Sequence, residues 1–206
     1  MKTLDKYSSS KMKLKHGMMI SSIAWMWAGI VGGVVISLAT GTDFLNGIFE
    51  STSALTGTGI TMFDNVEILP HSILFFRAFE QWIGGLGVVV MVIGVLTRPG
   101  TATAKLYQSE AREERLKPSV KTTLKKTIEI YLIYTIVGII LYHLAGMPTF
   151  DSICNTFCMI ATGGMSIKNA NIGYYHNDLI YLISIVLMIL GATSFLAHYK
   201  IIKKKG

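Results

Sequence analysis

Charge and cysteine are scarce in this sequence. Only 15% of its 206 residues are charged and two are cysteine, whereas 51% fall in the hydrophobic class. Two cysteines cannot staple a disulfide scaffold, and a chain this apolar in long blocks is neither disordered nor a water-soluble enzyme. Residues 17–42 run for 26 positions without Asp, Glu, Lys, Arg or His, and roughly 20 apolar residues already cross a bilayer. The composition points to a membrane.

Acidic residues are scarcer than basic ones, 12 against 19, which leaves a net charge of +7. On a soluble fold that excess would suggest nucleic acid, so its placement decides its meaning. Seventeen of the nineteen basic residues lie in three clusters: before residue 16, between Arg98 and Lys126, and from Lys200 onward. The positive-inside rule puts all three on the cytoplasmic side, with no nucleic acid involved. Having the N-terminus, the middle and the C-terminus on one side requires an even number of crossings between them. Apolar blocks at 17–40, about 70–97, 128–147 and about 178–199 meet that demand. The first block is too long for a secretory signal and lacks a small-residue cleavage site, so it reads as a retained helix. The expected organisation is a cytoplasmic segment 1–16, a first membrane unit 17–97, a cytoplasmic linker 98–126, a second unit 127–199 and a basic tail 200–206. The opposite face is expected to carry Asp43, Glu50, Asp64, Glu67, Glu80, Asp151 and Asp178 against Arg77 and Lys168, an acidic surface that raises local cation concentration.

Within each unit lies a segment too apolar for an ordinary loop and too short for a crossing, residues 42–61 and 149–166. Both open with helix-start chemistry, Thr42-Asp43 and Thr149-Phe150-Asp151. Both continue for about three helical turns and end in Thr/Gly clusters, LTGTGI at 55–60 and IATGGM at 160–165. Irregular backbone at membrane depth is tolerated only where protein or a water-filled cavity satisfies it. Glycines at Gly57, Gly59, Gly163 and Gly164 allow backbone angles that turn successive carbonyl oxygens toward one axis, and rings of such oxygens replace the hydration shell of an alkali cation. One such stretch alone reads more readily as a flexible turn than as a filter. Its repetition, with Gly59 and Gly164 105 positions apart, points to an ion site.

The loop STSALTGTGIT (51–61), the helix FFRAFEQWIGGLGVVVM (75–91), the stretch AGMPTFDSICNTFCMIATGGMS (145–166) and LGATSFLAHY (190–199) together resemble the membrane subunit of Trk/Ktr-type potassium uptake systems. The resemblance runs from about Met18 to Tyr199. It implies an all-α integral membrane fold of helix–re-entrant pore loop–helix units, four around one pathway, each with one filter loop. The filter glycines that match are Gly59 and Gly164, preceded by Thr56, Gly57 and Thr58 in one loop and by Ala161, Thr162 and Gly163 in the other. Their carbonyls would coordinate potassium, the transported substrate, with no cofactor. Only one glycine per loop is expected, so Gly57 and Gly163 depart from the pattern. This chain holds two units rather than four. Two copies about a two-fold axis would make a ring of four loops; equally, the chain is a fragment or one of two complementary halves. The resemblance also implies that the middle segment docks a cytoplasmic nucleotide-binding regulatory subunit of the TrkA/KtrA kind, beside its plain reading as a solvated link near lipid headgroups.

Other features take structural readings. Gly84-Gly85-Leu86-Gly87 lacks a following Lys-Ser/Thr and suits close helix packing. Arg77 and Glu80 are expected to pair within one helix, and Cys154 and Cys158 to be small buried side chains. The functional expectation is potassium uptake by a multi-pass plasma-membrane protein that is not an enzyme. The rival is a non-conducting half-subunit that completes a longer partner.

Overall fold

The computed structural model describes residues 14–96, 120–195 and 197–198. Almost all of the expected N-terminal segment, most of the linker at 98–126 and the whole basic tail lie outside them. The described residues are helical, with no strand among them: α1 (Leu14–Thr40), α2 (Phe44–Leu55), α3 (His71–Leu96), α4 (Val120–Leu144), α5 (Thr149–Ile160) and α6 (Asp178–Ala192), with short 3-10 turns at Val66–Ile68 and Asn171–Tyr175.

Two of these helices, over Met18–Thr40 and Leu124–Leu144, are long and apolar enough to cross a membrane. They expose rather than bury their large apolar side chains: Trp27, Leu38, Ile133 and Ile140 are all more than half exposed. A contiguous apolar exterior of that kind suits lipid rather than water. The interior is inverted to match, since Glu50, Ser51, Arg77, Gln81, Ser152 and Asn155 are all buried. The fourth expected block, 178–199, is interrupted. Its helix ends at Ala192, where Thr193 turns extended (φ −83°, ψ 144°). A new helical turn then starts on the Ser194 carbonyl, which accepts from the amides of Ala197 and His198.

The chain repeats its local geometry at an offset of 105 residues. The short helices α2 and α5, twelve residues each, begin 105 positions apart. Each follows a glycine in the left-handed region, Gly41 (φ 71°) and Gly146 (φ 93°), which reverses the chain at the end of the preceding long helix. Asp43 caps α2 as expected, accepting from Leu45 N at 3.0 Å. The expectation for α5 is corrected: its N-cap is Pro148, with no side-chain cap bond, and Thr149 is already helical. Proline's fixed φ suits a helix entrance, and the Pro148 carbonyl accepts from Ser152 N. Asp151 sits in the first turn, where negative charge favours the free amides.

Helix α3 packs on both short helices. Its aromatic side joins Phe79, Trp82 and Phe157 in one stack. The Tyr131 hydroxyl donates to the Trp82 carbonyl at 2.9 Å and the indole N–H to Thr135 Oγ1 at 3.1 Å, which binds α3 to α4. The segments after the two short helices also clasp one another through Asn169. Its Oδ1 accepts from Val66 N (2.9 Å), its amide donates to Glu67 Oε1 (3.0 Å) and its Nδ2 to Asn65 Oδ1 (2.8 Å).

Candidate functional site

Both short helices end in the same backbone device. After α2 the amide of Gly57 donates to Ala54 O and that of Thr58 to Ser53 O; after α5 the amide of Thr162 donates to Met159 O and that of Gly163 to Cys158 O. These are the paired bonds of a Schellman termination, which requires a left-handed residue just past the helix. Gly57 (φ 68°) supplies it in the first loop and Thr162 (φ 53°) in the second. Two residues on, Gly59 (φ 75°) and Gly164 (φ 87°) repeat the left-handed angle.

The amides of residues 56–59 and 161–163 are thus turned back onto the helix that precedes each loop. Among the described residues nothing donates to the carbonyls of Thr56, Gly57, Thr58 or Gly59, nor to those of Thr162, Gly163 or Gly164; Ala161 O accepts only the Thr162 hydroxyl, at 2.7 Å. Each helix also directs the negative end of its dipole, about half an elementary charge, at its loop. Chemically, this is a set of carbonyl oxygens free to accept from, or coordinate, something other than protein.

The two loops meet. A Cβ placed on Gly59 would collide with the Gly163 carbonyl oxygen, and one on Gly57 would stand 3.9 Å from Gly163 Cα. Thr56 and Thr58 are joined through their hydroxyls at 2.8 Å. Thr56, Gly57, Ala161 and Thr162 also line a cavity of about 230 Å³ with Tyr131 and Phe195. Glycines on α3 and α6 bring those helices up to the loops: a side chain on Gly84 would strike the Leu55 carbonyl, and one on Gly191 the Ile160 carbonyl. The packing role expected for the 84–87 run is the one observed. Gly163 has a reason of its own, because a Cβ there would run into the Gln81 side chain.

The bracing behind the loops went largely unread in the sequence. Arg77 does not pair with Glu80. Its Nε lies 2.6 Å from Glu50 Oε1 on α2, its Nη2 donates to Thr61 Oγ1 (3.1 Å) and its Nη1 to Ser166 O (3.4 Å). Glu50 also accepts from Thr61 Oγ1 and Met62 N, both at 2.8 Å, while Glu80 accepts from Ser51 Oγ at 2.6 Å. Glu50, Glu80 and Arg77 are therefore interior, and only Asp43, Asp64, Glu67 and Asp178 of the expected acidic surface are well exposed. Ser53 and Gln81 complete the bracing. Ser53 Oγ accepts from Ile60 N (2.9 Å) and donates to Ile60 O (2.6 Å), and Gln81 Oε1 accepts from Met165 N (3.2 Å). The available signal was Arg77, Glu80 and Gln81 together in an otherwise apolar helix, since polar groups in such a setting face the interior and find partners. Cys154 and Cys158 are buried free thiols in the apolar core, as expected.

A family model for cation transport proteins, TrkH, matches residues 2–206. The chain belongs to the TrkH family. Among relatives of this TrkH-family chain, the uncharacterized cation transporter MJ1485 of Methanocaldococcus jannaschii is 43% identical, over 94% of the chain and 41% of the relative. The Trk system potassium uptake protein TrkH of Vibrio parahaemolyticus is 34% identical, over 92% and 40% respectively. The Trk system potassium uptake protein TrkG of Escherichia coli is 33% identical, over 97% and 42%. The chain thus spans about two fifths of the length of the curated relatives it matches. Membership of a transport family agrees with the lipid-facing exterior and makes this TrkH-family chain a membrane protein.

Proposed function

We propose that the chain supplies two of the loops of a potassium-selective pathway and takes part in potassium uptake. The observation that carries this reading is the duplicated loop in which most amides are spent on the preceding helix and, among the described residues, all the carbonyls of residues 56–59 and 161–164 but that of Ala161 are left without donors. Such oxygens suit an alkali cation, which needs several neutral ligands in place of its water. The proposed filter residues are Thr56, Gly57, Thr58 and Gly59 in one loop and Ala161, Thr162, Gly163 and Gly164 in the other. Of these, Gly163 serves mainly to admit Gln81, and Thr162 takes the position that Gly57 holds in the first loop. Support from relatives lies in the names of the Vibrio and Escherichia proteins as potassium uptake proteins.

On this reading α1–α3 and α4–α6 are two helix–re-entrant loop–helix units, 17–97 and 127–199, with the basic segments 1–16, 98–126 and 200–206 in the cytoplasm. Two loops occupy half of a ring. The other two come from a second copy, from a complementary chain, or from the rest of a longer protein of which this sequence is a part. The basic middle segment remains the proposed docking site for a nucleotide-binding regulatory subunit.

The test is rubidium uptake into liposomes that contain the purified chain, with sodium as competitor and a Gly59→Ser, Gly164→Ser variant as control. Uptake that prefers rubidium and is lost in the folded variant is the expected result. A conducting variant with unchanged preference would remove the filter assignment, and a folded chain without flux would favour the non-conducting half-subunit.

A further inference from the structure

The two loops share one backbone course but not one means of support. At the offset of 105, Ser53 corresponds to Cys158, Thr58 to Gly163 and Ile60 to Met165. In the first loop Ser53 makes both bonds to Ile60, to its amide at 2.9 Å and its carbonyl at 2.6 Å. In the second a thiol, a weak donor and weak acceptor, stands in place of that hydroxyl, and no hydrogen bond links it to Met165. The Met165 amide instead donates to Gln81 Oε1 at 3.2 Å, across to the other unit. The space that Gln81 needs is opened by Gly163, where any Cβ would run into the Gln81 carboxamide. Three exchanges therefore compensate one another: serine to cysteine, threonine to glycine, and the arrival of Gln81. Gln81 is fully buried, and its Nε2 has no hydrogen-bond partner among the described residues.

We propose that Gln81 is a specificity-determining positioning residue of the second loop, standing in from the first unit for the brace that the first loop carries in its own helix. The inference rests on the reading of the loops as cation ligands. It ties the carbonyl geometry of the second loop to α3, so the two loops cannot adjust independently.

The experiment compares Gln81→Ala, Gln81→Ala with Cys158→Ser, and Gly59→Ser in the full chain. Two readouts are taken: amide exchange at Met165 against Ile60, and the rubidium over sodium uptake ratio in liposomes. Loss of one hydrogen bond predicts Met165 exchange about five- to tenfold faster in Gln81→Ala with Ile60 unchanged, together with a drop of similar size in the uptake ratio. Adding Cys158→Ser supplies the local hydroxyl and restores part of both. A protected Met165 in Gln81→Ala, or a wild-type ratio there while Gly59→Ser loses it, overturns the proposal and leaves the filter reading intact. If Gly59→Ser conducts with an unchanged ratio, the filter reading fails, and Met165 exchange alone decides whether Gln81 is the brace. Should Gln81→Ala not fold, Gln81→Glu retains an acceptor oxygen and is expected to keep Met165 protected; rapid exchange there also overturns the proposal.

Discussion

The loop after α2 is supported mostly from within its own unit, by Ser53 and by the Glu50–Arg77 pair, whereas the loop after α5 takes Gln81 and Arg77 from the other unit. Backbone angles and Schellman bonds repeat almost residue for residue, yet the side chains that hold them do not. A repeated fold therefore need not distribute its support evenly. Here α3 braces both loops, and changes to it reach the second unit, whereas among the described residues the second unit's Asn169 holds Asn65, Val66 and Glu67 beyond the first loop rather than the loop itself.

The sharpest way to break this comparison is Arg77→Ala. Removing one partner of a buried pair leaves an uncompensated charge, and a loss of about 3–5 kcal/mol is expected, read as a lower unfolding midpoint in detergent. Both loops should loosen together, with faster exchange at Met62 and in residues 165–167; loosening of the first alone would contradict a shared brace. Next comes the glycine pair. Gly59→Ala and Gly164→Ala both carry the strain of a left-handed residue, about 1–3 kcal/mol, but only Gly59 also meets the Gly163 carbonyl, while nothing lies within 4 Å at Gly164. Gly59→Ala should lower the midpoint more, and equal losses would show that the loops do not abut.

A smaller effect is expected at Tyr175, whose hydroxyl donates to Asp151 Oδ2 at 2.8 Å. Tyr175→Phe should cost about 1 kcal/mol of unfolding free energy. Burial, then the hydrogen bond to Asp151, holds the phenol's pKa above its ordinary value. That contribution is whole below the unfolded value of about 10 and is lost as pH rises through the folded one, so wild type and Tyr175→Phe should converge in strong alkali. The smallest change is Thr162→Gly. Relief of about 1–2 kcal/mol of left-handed strain is offset by about 0.5–1 kcal/mol of added chain entropy, leaving a net gain of about 0–1.5 kcal/mol of unfolding free energy, read as a small rise in the midpoint. The reverse exchange in the first loop, Gly57→Thr, should be destabilising, and stabilisation there would deny the equivalence of the two positions.

Much of the frame was legible because it rests on local chemistry. Apolar length marked the helices, Asp43 marked a cap, and the Thr/Gly clusters 105 residues apart marked both loops. The roles inside the loops were less legible. The glycine pattern aligns Gly59 with Gly164, but Gly163 answers to a side chain 82 positions away rather than to a backbone angle, and Thr162 holds an angle that usually asks for glycine. The pairing of Arg77 misled for a related reason. A helix neighbour three residues on is worth only a few tenths of a kcal/mol, whereas a buried guanidinium takes the place that offers it both an opposite charge and acceptors, here Glu50 as the charge and Thr61 and Ser166 as the acceptors. Pro148 as a cap and the break at Thr193 depend on where neighbouring segments arrive, which periodicity does not record.

The clasp at Asn169 and the reach of Gln81 to Met165 also set an order of events during synthesis. Asn65, Val66, Glu67, Arg77 and Gln81 are synthesised 84 to 104 residues before their partners at 165–169. Until then the first unit holds a buried-to-be carboxamide and open backbone groups with nothing to meet them. Its maturation must wait on the second, and a nascent chain halted after α3 should be more open to quality-control proteases than one halted after α6.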